Sequence, residues 1–125
     1  MTRRTYILAL ITLAATLFAG ASPAMAARLV SVSVEAGDEQ VTRSGQFRLS
    51  GQTRVELNFD ATVRGGGNVA VHVYQKLPND QWQRLSTPVE TGRSQNGKRE
   101  MTLHAGEYKV EIVATNATVT VTVDN

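Results

Sequence analysis

The sequence predicts an all-β fold, an antiparallel β-sandwich, and three observations support this prediction. Apolar and polar residues alternate with period two through most of the chain after residue 26, as in Val30, Val32 and Val34 with serines between them. Fifteen residues of this part are valine, a β-branched type that suits the pleated surface of a strand. Turn-forming residues interrupt the alternation about every 8–12 residues, which is the spacing typical of sandwiches.

Seven alternating runs are the candidate strands, and each has one apolar and one polar face. These runs are 30–34, 47–49, 55–59, 69–73, 101–103, 108–112 and 119–123. The predicted turns between or beside them are 37–38, 44–45, 50–51, 65–67, 78–80, 96–97 and 105–106. Asn96-Gly97 is the strongest hairpin signal, because both central positions of the favoured turn need positive φ. The pattern predicts seven to eight strands, in either jelly-roll or Greek-key order.

The first 26 residues have the three parts of a secretory signal peptide. Arg3 and Arg4 are followed by an uncharged stretch from 6 to 19 and by the small-residue site at 24–26. The apolar stretch is about 14 residues, whereas about 20 are needed to cross a bilayer. We therefore expect 1–26 to be a signal peptide cleaved after Ala26 and 27–125 to be one β-sandwich domain. The mature protein should be periplasmic or secreted, by the general secretory or the twin-arginine route.

Charge and cysteine content exclude several classes of protein. The formal net charge is +2, and Arg3 and Arg4 supply it, leaving eleven basic and eleven acidic residues in 27–125. A domain without a basic excess is not expected to bind nucleic acid. The chain has no cysteine, which excludes disulfides, thiolate metal sites and a cysteine nucleophile.

The sequence indicates no catalytic, metal or cofactor site. The two histidines, His72 and His104, are not accompanied by a G-x-S-x-G, H-E-x-x-H or S-x-x-K motif. We therefore predict that the protein is not an enzyme and carries no cofactor. The acidic residues are scattered, so we expect Asp38, Asp60 and Asp80 to stabilise turns. A calcium site built from separate loops is the alternative for these residues.

Residues 103–112, Leu-His-Ala-Gly-Glu-Tyr-Lys-Val-Glu-Ile, resemble a strand start of the bacterial pre-peptidase C-terminal domain family, L-x-A-G-x-Y-x-V-x-V. The order of runs over 46–123 is also similar, although 75–80 replaces a turn of Asp-x-Asp-Gly type that is often found there. The resemblance implies a small, jelly-roll-like, non-catalytic domain on a secreted bacterial protein. Independently of the family, Tyr108 is expected to bury its ring while its hydroxyl bonds to a nearby backbone group.

The first functional hypothesis is a binding or accessory module for a protein or carbohydrate at the cell envelope or outside the cell. Trp82 lies in a polar segment, and Tyr74 and His72 share the polar face of their strand. A large exposed aromatic side chain is unfavourable unless a partner or the protein itself covers it. Trp82, Tyr74 and His72 are therefore the predicted ligand-binding residues. Alternatively, Trp82 folds back over one end of the sandwich.

The second hypothesis is a structural subunit that self-associates, giving a homo-oligomer. The last strand, from Thr118 to Val123, is β-prone and has no charge, proline or bulge to prevent pairing with another chain. This strand is either an open edge that accepts a partner strand or a strand buried between two neighbours. After signal cleavage no membrane span is expected.

Overall fold

The computed structural model describes residues 27–125, and all regular secondary structure in this range is β-strand. The six strands are β1 (Arg28–Ala36), β2 (Val41–Leu49), β3 (Thr53–Lys76), β4 (Trp82–Thr91), β5 (Gln95–Leu103) and β6 (Gly106–Asp124). All of the strand pairings are antiparallel. The prediction of an all-β antiparallel fold is therefore confirmed, whereas the predicted signal peptide, 1–26, lies outside the described residues.

The two longest strands, β3 and β6, lie side by side and carry the other four. Residues 56–63 of β3 pair with 117–124 of β6, and residues 68–75 pair with 108–115. Beside the first stretch, β1 pairs with β6 and β5 pairs with β3. Beside the second stretch, β2 pairs with β6 and β4 pairs with β3. The sheet thus has one half bordered by β1 and β5 and another bordered by β2 and β4, and both contain part of β3 and β6. We call them the β1–β5 half and the β2–β4 half.

The sheet bends between these halves at residues 64–67. Four residues of β3 oppose only Asn116 of β6 there, and extra residues in one strand bend a sheet. Gly66 and Asn116 have positive φ angles of 77° and 47°. A Cβ on Gly67 would lie 2.5 Å from the carbonyl oxygens of Thr115 and Asn116, so only glycine permits this approach of the two strands.

The two halves enclose one hydrophobic core, to which β1, β2, β3 and β6 contribute alternate residues. From β4 and β5, the buried core residues are Val89 and Leu103. Val71 and Val110 at the centre of the β2–β4 half are fully buried. Gly45 of β2 shows how closely the halves meet, because a Cβ there would lie 2.6 Å from Val30 and 2.9 Å from Val32 of β1. The bent sheet therefore closes on itself around a single core.

Three of the predicted turns lie inside strands. Residues 44–45 belong to β2, 65–67 to β3 and 96–97 to β5. Gly97 is paired with Phe59, and a Cβ at Gly97 would lie 3.3 Å from the Phe59 ring. Local turn preference is overridden here by pairing with β3. The predicted count of seven to eight strands is not confirmed, because β3 and β6 each continue through the bend as one strand.

The segment from Thr118 to Val123 is central in the sheet, not an edge. Val121 pairs with Val32 of β1 on one side and with Phe59 of β3 on the other. Its backbone is therefore already hydrogen-bonded on both sides. The hypothesis that this segment is an open edge that accepts a strand from another chain is wrong, and its alternative, a strand buried between neighbours, is confirmed.

Tyr108 has the role predicted for it at the start of β6. Its side chain is 1% exposed, and its hydroxyl donates a 2.8 Å hydrogen bond to the carbonyl of His104. Its ring stacks on Phe47 of β2 with a centroid distance of 5.4 Å. The side chain thus joins the β5–β6 turn to the neighbouring strand.

Candidate binding surface

The register of β3, β4 and β6 brings the three predicted binding residues to one face of the β2–β4 half. Tyr74 is paired with Arg84 on one side and with Lys109 on the other. His72 is paired with Glu111, and Trp82 with Lys76. Because Val71, Val73 and Val110 face the core, these side chains lie on the outer face. We call His72, Tyr74, Trp82, Arg84, Lys109 and Glu111 the outer-face cluster.

Lys109 connects the two aromatic rings of the cluster. Its Nζ lies 5.0 Å from the centroid of the Tyr74 ring and 4.9 Å from the centroid of the Trp82 ring. The Arg84 guanidinium carbon lies 5.7 Å from the Tyr74 centroid. These distances are within the range of cation–π attraction, which holds the cationic groups close to the rings.

The hydroxyl of Tyr74 fixes the position of its ring. It accepts a 3.3 Å hydrogen bond from Arg84 and donates a 3.2 Å hydrogen bond to Glu111. Tyr74 and Glu111 are both half-buried, whereas Arg84 is exposed. The ring is therefore held between strands β4 and β6 and needs little ordering on contact with a ligand.

His72 lies beneath this surface. Its side chain is 8% exposed, and its Nδ1 lies 2.8 Å from the Thr87 hydroxyl. The imidazole meets the Tyr74 ring edge-on with a centroid distance of 6.2 Å. Burial, reinforced by the nearby Arg84 charge, lowers the pKa of His72. His72 is thus placed to support Tyr74, and its predicted contact with a ligand stays a prediction.

Trp82 is the first residue of β4, directly after a tight turn. The turn is closed by hydrogen bonds of 2.7 Å from the Leu77 amide to the Gln81 carbonyl and 2.9 Å from the Asp80 amide to the Leu77 carbonyl. Trp82 is half-buried, so it is neither fully covered by the protein nor fully exposed. Its ring contacts the ammonium of Lys109 on the outer face. This position leaves part of the indole accessible to a ligand.

The two cations of the cluster differ from the other basic groups of the same face. Lys76 lies 3.3 Å from a carboxylate oxygen of Glu107, and Arg48 forms an ion pair with the same carboxylate. These two contacts hold the pKa of Glu107 below its usual value. Within residues 27–125, no carboxylate oxygen lies within 4.0 Å of a charged nitrogen of Arg84 or Lys109.

Sequence reasoning missed Arg84 and Lys109 as members of the site. Lys109 alternates with apolar residues in its strand, and this pattern indicates only a solvated face. Its position beside Tyr74 depends on the β3–β6 register, which joins residues far apart in the chain. The one local signal is Arg84, two residues after Trp82 and therefore on the same face of the strand.

Open depressions border this half of the sheet. One, of about 450 Å³, lies at the β3–β4 turn and is lined by Lys76, Pro78 and Glu107, among others. Another, of about 490 Å³, lies near the bend and includes Asn68 and Glu90 in its lining. The cluster itself lies on the sheet face between the turn and the bend.

The part of the chain that the structure describes contains no group of three or more histidine and acidic side chains arranged to hold a metal ion. Asp38, Asp60 and Asp80, the residues of the alternative calcium site, do not form such a group. No helix long and apolar enough to cross a bilayer occurs in the same residues.

No protein-family model matches the chain, and no match was found among curated proteins. The resemblance to the pre-peptidase C-terminal domain family therefore stays a hypothesis. Among solved structures, the chain is similar to GEBA250068378 from Sulfurospirillum deleyianum, with 7% identity and a TM-score of 0.48 over 75% of this chain and 95% of that one.

Two carbohydrate-binding modules are also similar. One is described as Family 16 Carbohydrate Binding Module-2, with 14% identity and a TM-score of 0.41 over 76% of this chain and 72% of that one. The other is described as a pectin binding carbohydrate binding module, with 11% identity and a TM-score of 0.39 over 76% of this chain and 87% of that one. At these low identities and TM-scores, the similarities do not identify a ligand or an activity for this chain.

Proposed function

We propose that this chain is a small exported β-sandwich that binds carbohydrate without catalysis, and that the outer-face cluster is its binding surface. The observation that carries the proposal is that Lys109 Nζ lies 5.0 Å from the Tyr74 ring centroid and 4.9 Å from the Trp82 ring centroid on an outer sheet face. Partly exposed aromatic rings provide apolar faces for sugar rings. Neighbouring Arg84 and Glu111 supply hydrogen-bond donors and acceptors for hydroxyl groups.

A carbohydrate suits this surface better than a protein partner does. The buried centre of a protein interface is apolar and depleted of charged residues. In the described residues, Leu85 is the one large hydrophobic side chain that is exposed, at 42%. The cluster instead combines two half-covered rings with charged groups. A few aromatic contacts and several polar groups are typical of small-ligand sites.

Export and the absence of catalysis are further parts of the proposal. Export is supported by the three-part signal pattern of residues 1–26. The intact mass of the protein recovered outside the cytoplasm tests it, since cleavage after Ala26 would leave a chain beginning at Ala27. Retention of Met1–Ala26 would contradict export by this signal. The lack of catalytic motifs supports a binding role rather than an enzymatic one.

Affinity electrophoresis tests carbohydrate binding. The purified protein is run through gels that contain neutral polysaccharides, such as xylan and laminarin, or acidic ones. We expect retardation in at least one gel, loss of retardation in Trp82→Ala, and normal retardation in Leu85→Ala, which truncates an exposed apolar residue of the same strand. Uniform mobility of the wild type in all gels would overturn carbohydrate binding. Equal retardation of both variants would overturn the assignment of the surface.

A further inference from the structure

We infer that the carbohydrate bound by the outer-face cluster carries carboxylates, as in a glycan of uronic acids. This inference rests on the proposed function and specifies its ligand class. It comes from the two cations of the cluster, Lys109 and Arg84. Both lie beside an aromatic ring, and within residues 27–125 neither has an acidic partner within 4.0 Å.

The two cations flank one ring. Tyr74 is paired with Arg84 on β4 and with Lys109 on β6, so the positive groups lie on opposite sides of the phenol. Lys109 also reaches the Trp82 ring. A sugar ring that lies on these aromatics would bring a carboxylate at its rim within reach of an ammonium or a guanidinium. Such charge-assisted hydrogen bonds are stronger than those to neutral hydroxyls.

The rest of the surface favours a ligand that combines carboxylates with hydroxyl groups over a simple polyanion. Glu111 accepts a hydrogen bond from the Tyr74 hydroxyl and adds a negative charge at the inner side of the cluster. A carboxylate there would be repelled, whereas sugar hydroxyls can donate to Glu111. Lys76 and Arg48 both contact Glu107, and Lys76 also lies 3.7 Å from a carboxylate oxygen of Asp80, so these two cations have two acidic partners. On the outer face of the β2–β4 half, Lys109 and Arg84 are therefore the cations placed beside the Tyr74 ring without a carboxylate of the described residues within 4.0 Å.

To test the carboxylate inference, the purified protein is titrated with oligosaccharides of alginate and of hyaluronate, both of which contain uronic acids. Binding is followed by calorimetry and by Trp82 fluorescence. Carboxyl-reduced forms of the same oligosaccharides are the neutral controls. We expect binding of at least one uronate glycan, and binding about tenfold weaker or worse for its reduced form, as expected for lost charge-assisted bonds. Affinity should fall as salt is added.

The contrary outcomes separate the two proposals. Equal affinity for native and reduced oligosaccharides would overturn the carboxylate inference and leave carbohydrate binding intact. Binding of neutral xylan or laminarin without binding of either uronate glycan would do the same. Absence of binding to every glycan would overturn both proposals. Equal or tighter binding of polyglutamate or dextran sulfate would also overturn the inference, because it would indicate a general anion surface.

Three substitutions at the two cations, and one control substitution elsewhere, test whether Lys109 and Arg84 cause the preference for carboxylates. Lys109→Gln and Arg84→Gln should each weaken uronate binding about five- to tenfold and affect the reduced glycan little. Lys109→Arg keeps the charge and should retain most of the affinity. Lys98→Gln makes the same charge change on β5, in the other half of the sheet, and should leave binding unchanged. An equal loss in Lys98→Gln would overturn the assignment, since only net charge would then matter.

Discussion

The ammonium nitrogen of Lys109 lies 4.9 Å from the centroid of the Trp82 ring, although no backbone pairing joins their strands in the described residues. The contact reaches across β3, where Tyr74 lies between them. It depends on the register in which Tyr74 faces Lys109. Three strands therefore contribute to one small surface of two rings and a cation.

Replacing Trp82 by alanine should weaken glycan binding by about 1–3 kcal/mol, the usual loss for a stacking anchor. Because Trp82 is half-buried, the loss of stability should be smaller than the about 3–5 kcal/mol typical of a buried aromatic. Calorimetry and chemical denaturation measure the two effects. Iodide should quench the fluorescence of free Trp82 and quench it less once glycan is bound. Emission typical of buried indole, insensitive to iodide in the free protein, would contradict this account.

Tyr108→Phe should lower the free energy of unfolding by about 0.5–1.5 kcal/mol, because the bond from the hydroxyl to the His104 carbonyl is lost. The ring and its stacking on Phe47 are kept, so the fold should persist. Urea denaturation of wild type and variant provides the measurement. Tyr74→Phe is the comparison, because the Tyr74 hydroxyl bonds only within the half-exposed outer-face cluster. This substitution should lower the free energy of unfolding less than Tyr108→Phe does. Identical unfolding midpoints for Tyr108→Phe and the wild type would count against the structural role of the hydroxyl.

Gly67→Ala should destabilise the protein by about 1–3 kcal/mol, as overpacking of a tight contact does. The new methyl group would lie 2.5 Å from two carbonyl oxygens of β6 at the bend. Gly65→Ala is the matched control, because a Cβ there would meet nothing within 4 Å. Thermal unfolding of the pair measures the difference. Equal stability of the two variants would show that the strands do not approach each other this closely.

The stability of the protein should decrease as the pH falls below the usual histidine pKa of about 6.5. Burial lowers the pKa of His72 in the folded state, so in this window the unfolded chain binds more protons than the folded one. The stability that comes from burying neutral His72 is fully present above about pH 6.5 and is lost as the pH falls through the pKa of His72 in the folded state. Denaturation across pH 5–8 should show this slope, and His72→Gln should reduce it. If the stability of His72→Gln depends on pH as steeply as that of the wild type, other groups cause the pH dependence.

The all-β fold could be predicted because the alternation of valines with serines or threonines in β1 and β6 records one buried and one exposed face. The bond of Tyr108 to the turn before β6 could also be predicted, since it is local. Features within one strand, or between a strand and its adjacent turn, could thus be predicted from the sequence.

The strand count and two of the site residues could not be predicted, for a common reason. Asn96-Gly97 favours a turn locally, but Gly97 lies in β5 against the Phe59 ring. Likewise, nothing near Lys109 in the sequence indicates that it will reach Trp82. Both outcomes are set by contacts between strands distant in sequence, which a local pattern does not encode.

The most direct test of the binding surface is a map of backbone amide chemical shifts in isotope-labelled protein titrated with an oligosaccharide that calorimetry has shown to bind. We predict that the perturbed amides lie in three segments, 72–76, 82–84 and 107–111, on β3, β4 and β6. Residues of β1 and β5, in the other half of the sheet, should not shift. Perturbations centred on β1 or β5, or none at saturating oligosaccharide, would contradict the assignment of the outer-face cluster as the binding surface.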